Sequence, residues 1–360
     1  MKTAKEFKLV ECSGTAYEIG LQWGEGCRES FYHNSENSFR KLELLHQAKK
    51  DEVMTKAMRF LPLIKEFDPY LIDIMQGQAA ATGLSFAEIV THRCLLELSV
   101  YYPSINSLCT GFAATGEATA GGKTLLGQNI DWAPGATIDF LKVHHNGGPV
   151  QYILSFTNAS EYTLSNAGFG ICGMATIGRN YAYNLPVPCY MPRVMRQKNS
   201  YEAMDLLKKA ARGFGYFHLA NANGFMMGIE STYNDYEVIQ PIEDLMVHSN
   251  HYLTKRFQGD DMLVYMAELG MISSEMALES LKRYERMQSL MYRDYGRITP
   301  QTAMEVLADH ENYPLSICRH DDSSPYPSVT QASFIMVPAE GTIYVACEHP
   351  CRHEYVRYTF

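Results

Sequence analysis

Apolar residues recur at helical spacing through most of the first hundred positions of the chain. One predicted helix begins at Asp68-Pro69, a cap followed by a first-turn proline, and ends at Gly83. Ser85 and Glu88 have the spacing of a capping box and begin the next predicted helix. A polar loop around Pro103 interrupts this pattern, so we predict a helical N-terminal segment that ends there.

After residue 109 the helical period gives way to short runs that are typical of strands. The predicted strands are 124–129, 140–144, 150–156 and 170–177, a three-stranded meander over 217–240, and a closing hairpin over 329–346. Helical spacing returns near 190–213 and over 260–294, and Thr299-Pro300 opens a further helix. The second helical stretch carries seven apolar residues: Met262, Met266, Leu269, Leu278, Leu281, Tyr284 and Met291. Strands and helices in this mixture predict one α+β unit, with the helical segment wrapped around it.

Composition narrows the class of protein. The 360 residues are 46% hydrophobic and carry a net charge of −9 with no long basic block, so we expect a large core and no nucleic-acid partner. The sequence has no apolar run of transmembrane length and no secretion signal, which favours a cytoplasmic protein without a membrane partner. Nine scattered cysteines fit a reducing compartment better than a disulfide framework.

Cys109 is the first candidate for chemistry. It begins a predicted strand, a Gly-Gly turn follows at Gly121, and the second strand ends at Asp131, so thiol and carboxylate are expected at neighbouring strand positions. If the chain is cut before Cys109, the new α-amine can act as the base for the thiol. Asp131 could then orient that amine or Thr110, although an aspartate that caps the turn at Pro134 is the alternative.

Two other motifs point less clearly to a site. The segment 347–353, with two cysteines and two histidines, superficially resembles a zinc knuckle, but no second ligand pair at metal-site spacing is evident in the sequence. We therefore predict no metal and no bound cofactor. The stretch 116–124 nearly matches a phosphate-binding loop, but a strand rather than a helix follows it, so we predict a hairpin turn.

Several motifs together resemble the acyl-coenzyme A:6-aminopenicillanic acid acyltransferase family, which are cysteine members of the N-terminal nucleophile hydrolases. In chain order they are Gly14-Thr15-Ala16-Tyr17-Glu18-Ile19-Gly20, Met75-Gln76-Gly77-Gln78-Ala79, Cys109-Thr110, Gly127-Gln128-Asn129-Ile130-Asp131-Trp132, Ser249-Asn250-His251-Tyr252 and Ser316-Ile317-Cys318-Arg319-His320.

The resemblance implies a four-layer αββα fold and autocatalytic cleavage of the Leu108-Cys109 bond. Segment 1–108 would then be the α chain and 109–360 the β chain of one structural domain, each the other's partner. Four roles follow from the family: Cys109 as nucleophile, Asp131 as its support, Asn250 as oxyanion donor, and Arg319 as a substrate-binding or Asp131-holding cation. Asn250 and Arg319 each have a purely structural alternative: a loop amide that bonds its own backbone for Asn250, and an ordinary surface ion pair for Arg319.

Asn129 shares the strand face of Asp131 and is expected to be a supporting or structural amide. Leu108 stands where the family pattern favours glycine, which motivates the alternative of a processing-deficient binding protein with the same fold.

The predicted function is amide hydrolysis or N-acyl transfer on a small acyl amide through a thioester, with hydrolysis favoured. A coenzyme A thioester as acyl donor is the alternative, with Arg193, Arg196 and Lys198 as candidate phosphate contacts. A zinc-dependent hydrolase is a third hypothesis, and a homo-oligomer is left open.

Overall fold

Two β-sheets form the centre of the protein, as seen in a computed structural model that describes residues 2–98, 109–320 and 328–360. The larger sheet has eight strands in the order β1-β4-β5-β6-β7-β8-β9-β10, and the smaller has six in the order β11-β2-β3-β12-β13-β14. The strands are β1 Leu9–Gly14, β2 Thr110–Gly116, β3 Gly122–Trp132, β4 Ile138–His145, β5 Val150–Phe156, β6 Ser160–Ser165, β7 Phe169–Met174, β8 Tyr216–Asn221, β9 Met226–Ser231, β10 Tyr236–Ile239, β11 Leu245–His248, β12 Val329–Val337, β13 Thr342–Cys347 and β14 Val356–Thr359.

Helices cover the outer face of each sheet. They are α1 Ala16–Gly26, α2 Arg28–His46, α3 Lys50–Met58, α4 Leu61–Phe67, α5 Pro69–Thr82, α6 Phe86–Leu98, α7 Val187–Met195, α8 Ser200–Ala210, α9 Lys255–Gln258, α10 Met262–Glu268, α11 Ser274–Arg293 and α12 Pro300–Leu307. Helices α1 to α8 contribute to the cores on the eight-stranded sheet, and α11 and α12 pack on the six-stranded sheet. The layers are therefore αββα, which confirms the predicted α+β class.

Strand alternation separates the inner core from the two outer cores. On β4, Phe140 points into the cluster between the sheets whereas Leu141 packs under the N-terminal helices. Phe334 on β12 joins the inner cluster, and its neighbour Ile335 packs against α11 and α12. Because successive side chains point to opposite faces of a strand, a strand buried on both faces reads as a nearly continuous apolar run.

The helix signals in the N-terminal segment are confirmed. Helix α5 begins at Pro69 and ends at Gly83, whose φ of 79° is the left-handed conformation that glycine adopts without strain. Ser85 and Glu88 form the predicted capping box at the start of α6, with each backbone N–H bonded to the other's side chain. Asp68 does not cap α5 with its side chain, because that carboxylate accepts two hydrogen bonds from Arg196.

The prediction that segment 1–108 is helical is wrong at its beginning. Residues Leu9–Gly14 form β1, which pairs in parallel with β4 and so joins the N-terminal segment to the large sheet. Helix α1 crosses α5 so closely that an added Cβ on Gly77 would lie 2.2 Å from the carbonyl oxygen of Tyr17, and one on Gly20 would lie 2.0 Å from that of Ile74. These two glycines of the motifs therefore allow the helix crossing.

Strand β2 pairs antiparallel with β3, which confirms a hairpin rather than a phosphate-binding loop over 116–124. Among the residues described, no helix is both long and apolar enough to cross a membrane.

Candidate active site

Cys109 directly precedes β2, and its thiol lies between the two sheets. Its side chain belongs to the inner core and is only 2% exposed, and its Sγ lies 3.9 Å from the carbonyl oxygen of Asp131 on β3. Thr110 follows as the first residue of β2, opposite Asn129. The hairpin therefore brings the thiol and the end of β3 together, as the sequence predicts. Leu108, the other half of the predicted cleavage bond, lies outside the described residues.

A narrow pocket opens beside this thiol. Its walls are mostly apolar and include Ile130, Trp132, Phe156, Met174, Phe214 and Phe217, whereas Ser160, Glu161 and Tyr162 add polar groups. A second cysteine, Cys172 on β7, lines the same pocket and is fully buried. The lining suits an apolar group with a polar end at Cys109.

Arg283 connects the start of β2 with the loop after β11. From α11 its guanidinium donates to the Cys109 carbonyl oxygen at 2.8 Å, to Thr110 Oγ1 at 2.5 Å and to Asn250 Oδ1 at 2.9 Å. The side chain is completely buried, so these charge-assisted bonds act at low dielectric. Burial lowers the pKa of Arg283, while Glu279 opposes that shift. One cation thus fixes three groups of the candidate site.

The orientation of the Asn250 amide follows from its two partners. A guanidinium can only donate and a carbonyl can only accept, so the oxygen must face Arg283 and the NH₂ must face the carbonyl oxygen of Ala175, 2.9 Å away. Ala175 lines the pocket, and the Asn250 backbone N–H is held at 2.7 Å by Ser280 Oγ. The NH₂ is therefore directed toward the pocket wall, and the alternative of a loop amide bonded to its own backbone is wrong.

Asp131 is buried without a full set of partners. Its Oδ1 accepts a 2.6 Å hydrogen bond from Thr330 on the neighbouring strand β12, whereas no described residue bonds to its Oδ2. Loss of solvent raises the pKa of Asp131 to about 6, and Thr330, Arg319 and Arg283 oppose this shift in that order. The carboxylate is directed to a neighbouring strand, so the turn-capping alternative is wrong.

Arg319 lies behind Asp131 and does not line the pocket. Only 2% of its side chain is exposed, its Nη1 is 3.3 Å from Glu279 Oε2, and its backbone N–H donates to Thr330 Oγ1 at 2.9 Å. This position suits a cation that steadies Asp131 better than one that binds a substrate carboxylate. The ion pair is buried, so the alternative of an ordinary surface pair is wrong.

Asn129 has a structural role. Its Nδ2 donates to the carbonyl oxygens of Leu307 and Ile317, both at 2.9 Å. These bonds anchor the end of α12 and the chain that leads to Arg319 against β3.

Sequence reasoning missed three members of this arrangement: Arg283, Glu279 and Tyr162. The pKa of Tyr162 is raised well above its usual value, first by burial and next by the nearby Cys109 thiol. Glu279 and Arg283 have the i, i+4 spacing of a helical ion pair, 3.8 Å apart. That spacing is visible in the sequence but is usually a surface feature, so only the fold shows that the pair is buried.

The candidate phosphate contacts for coenzyme A are engaged within the protein. Arg193 donates to the Phe67 carbonyl oxygen, and Arg196 binds both oxygens of Asp68 at 2.6 and 2.7 Å. These contacts join α7 to the junction of α4 and α5. Because two of its guanidinium groups are engaged, the cluster of Arg193, Arg196 and Lys198 is a weaker site for phosphates. A separate group of two histidines and two cysteines lies near Arg319, outside the pocket.

The two central sheets between helical layers define an αββα sandwich, and a cysteine directly precedes the strand beside the pocket. The chain belongs to the acyl-coenzyme A:6-aminopenicillanic acid acyl-transferase family, whose match covers residues 118–352, more than half of the chain. The matched span begins after Cys109 and contains Asp131, Asn250 and Arg319. The family match supports an enzyme that transfers acyl groups.

Solved structures with a similar chain path are distant in sequence. A mutant of conjugated bile acid hydrolase from Clostridium perfringens is 12% identical with a TM-score of 0.43, over 70% of this chain and 97% of that one. Penicillin V acylase from Agrobacterium tumefaciens is 12% identical with a TM-score of 0.44, over 66% and 83% of the respective chains. No curated protein matches the sequence.

Proposed function

We propose that the protein is a self-processing amidohydrolase with an N-terminal cysteine nucleophile, which acts on small amides that carry an apolar acyl group. The observation that carries the proposal is the Cys109 thiol in the lining of the apolar pocket, directly before β2. In this proposal, cleavage of the Leu108-Cys109 bond gives Cys109 a free α-amine.

The catalytic cycle begins when the α-amine takes the thiol proton and the thiolate attacks the amide carbonyl carbon. The Asn250 NH₂ donates to the resulting oxyanion, and the α-ammonium returns its proton to the leaving amine as the C–N bond breaks. Water then attacks the thioester and releases the acid and the thiol. Asp131 and Thr110 orient the amine, and Arg283 holds the Cys109 carbonyl oxygen and Asn250 in register.

The apolar pocket supports the choice of acyl group. Its mostly apolar walls suit an aliphatic or aromatic acyl chain, whose burial contributes about 0.8 kcal/mol for each CH₂ group. N-acyl transfer through the same thioester is the alternative outcome. An acyl-coenzyme A donor is less favoured, because Arg193 and Arg196 make contacts within the protein.

The test compares two cysteines of the same pocket. Cys109→Ala should leave a single chain of about 40.7 kDa and abolish turnover of N-acyl p-nitroanilides, because it removes the nucleophile. Cys172→Ala is the matched control and should still give two chains and near-normal turnover, because that thiol has no assigned step. Titration of a small primary amine into the reaction separates the outcomes, since free acid indicates hydrolysis and a new amide indicates transfer.

A wild-type protein that stays folded, never splits and turns over no amide would favour the processing-deficient binding protein. Full turnover by Cys109→Ala would refute the assigned nucleophile.

A further inference from the structure

Four side chains with metal-binding donors converge where the loop after α12 meets the turn after β13. They are His310, Cys318, His320 and Cys351, and one donor atom from each lies within 4.8 Å of all the others. The His320 Nε2 is 2.9 Å from His310 Nε2, 3.3 Å from Cys351 Sγ and 3.8 Å from Cys318 Sγ. Three donors therefore surround one imidazole nitrogen.

Hydrogen bonding alone does not explain this convergence. A neutral imidazole nitrogen either donates one proton or accepts through one lone pair, so His320 Nε2 can satisfy only one of its three neighbours. A metal ion satisfies all four donors together. With bond lengths of about 2.05 Å for Zn–N and 2.3 Å for Zn–S, tetrahedral angles place two nitrogens about 3.4 Å apart, and nitrogen and sulfur about 3.6 Å apart. The two separations between nitrogen and sulfur, 3.3 and 3.8 Å, lie on either side of the expected value. The two nitrogens, 2.9 Å apart, are about 0.5 Å too close, so side-chain shifts of this size complete the geometry.

We propose that His310, Cys318, His320 and Cys351 bind one Zn²⁺ ion in a closed, structural Cys₂His₂ site. Two thiolates and two imidazoles are a ligand set that zinc prefers. On binding, Cys318 and Cys351 each release a proton to solvent, so the two thiolates neutralise the ion. Four protein ligands leave no position for water, which separates this site from a zinc-dependent hydrolase.

The ion would fix the segment that supports Asp131. Arg319 lies between the ligands Cys318 and His320, and its backbone exchanges hydrogen bonds with Thr330, through the Oγ1 at 2.9 Å and the N–H at 3.1 Å. Thr330 in turn donates to Asp131. Since Cys351 belongs to the C-terminal segment, zinc would also tie that segment to the loop that carries Arg319.

This site differs from the knuckle that the sequence suggests over 347–353. Within that segment only Cys351 supplies a ligand atom, whereas Cys347 ends strand β13 and His349 stacks on His320 with 4.3 Å between ring centroids. The prediction of no metal was based only on the lack of a second ligand pair at the standard spacing of a metal site. Here the fold supplies the other three ligands from 310–320, a single short stretch.

Metal content is the direct test, and it does not depend on activity. Full-length protein without a histidine tag is mixed with one equivalent of Zn²⁺ under reducing conditions, passed into metal-free buffer and measured by elemental analysis. We expect about one zinc ion per chain. Cys318→Ser and Cys351→Ser should each lose at least nine tenths of it, whereas Cys347→Ser and His353→Ala, in the same C-terminal segment, should retain it.

Cobalt gives a second readout on the wild-type protein, so the test does not depend on whether a variant folds. Co²⁺ should produce the intense visible bands of a tetrahedral site together with thiolate-to-cobalt charge transfer, and equimolar Zn²⁺ should displace it. Less than a tenth of an equivalent of zinc in the wild type, or a six-coordinate cobalt spectrum, would overturn the proposal. So would full zinc retention by Cys318→Ser, or a Cys318–Cys351 disulfide in the freshly purified protein.

Discussion

Replacement of Asp131 with asparagine removes a buried charge while it keeps the size and the Thr330 hydrogen bond of the side chain. In the folded protein the pKa of Asp131 is about 6, compared with 3.8 as the ordinary value. A carboxyl group whose pKa rises on folding opposes folding when it is ionised. This penalty is complete above about pH 6 and is lost as the pH falls toward 4, because the folded protein binds a proton before the unfolded chain does.

The shift from 3.8 to about 6 costs about 3 kcal/mol at about 1.36 kcal/mol per unit. At pH 4 only a small part of this penalty remains. The stability of Asp131→Asn relative to its parent should therefore increase by about 2 kcal/mol between pH 4 and pH 7.5. Differences in stability that do not depend on pH, such as the cost of an unpaired side-chain NH₂ in the variant, cancel when the two pH values are compared.

The assay is urea unfolding at several pH values, with Cys109→Ala as the parent so that the proposed cleavage occurs in neither protein. Asp205→Asn, on the exposed side of α8, removes one surface carboxylate and controls for the change in net charge. A relative stability of Asp131→Asn that is constant with pH would refute the reasoning. One that declines as pH rises would mean that Arg283 and Arg319 stabilise the ionised form by more than desolvation costs.

Three further substitutions test the rest of the site and the fold. Asn250→Ala should lower kcat by about 10²- to 10³-fold because it removes the proposed oxyanion donor, and unchanged steady-state kinetics would contradict that role. Arg283→Met should lower the free energy of unfolding in urea by about 3–5 kcal/mol, because it leaves three buried acceptors unpaired. Arg283→Lys should lower it by less, and a Met variant as stable as the wild type would contradict the network. Gly77→Ala should cost about 1–3 kcal/mol because its Cβ meets the backbone of α1, whereas Gly259→Ala, with open space around it, should unfold near the wild-type midpoint.

Local signals in the sequence predicted much of the fold. The capping box at Ser85, the glycine stop at Gly83 and the strand Val150–Phe156 are each set by a few neighbouring residues, and the structure confirms them. The order of the motifs also identified the family. These features were predictable because turn and cap chemistry depends on short-range geometry.

Features that depend on distant partners were not predictable in this way. Strand β1 pairs with β4, more than a hundred residues away, and its sequence, Leu9–Gly14, does not alternate clearly. The four metal-binding candidates show the same limit, since Cys351 joins His310 only when the sheet and loop have formed. Here tertiary contacts outweigh local pattern.

Helix α11 shows why the pattern of hydrophobic residues did not predict part of the candidate site. The apolar residues Leu278 and Leu281 are 50% and 37% exposed, whereas Glu279 and Arg283 are buried. The buried stripe is nevertheless regular, because Glu279 and Arg283 continue into Met287 and Met291 at intervals of four residues.

Only the chemistry of that stripe changes along the helix, from charged beside Cys109 to apolar beneath the six-stranded sheet. Burial of the charges is possible because each has partners, and those partners belong to the candidate site. In α11 the charged pair Glu279 and Arg283 therefore continues the apolar stripe as part of a buried network, which the i, i+4 spacing alone does not distinguish from a surface ion pair.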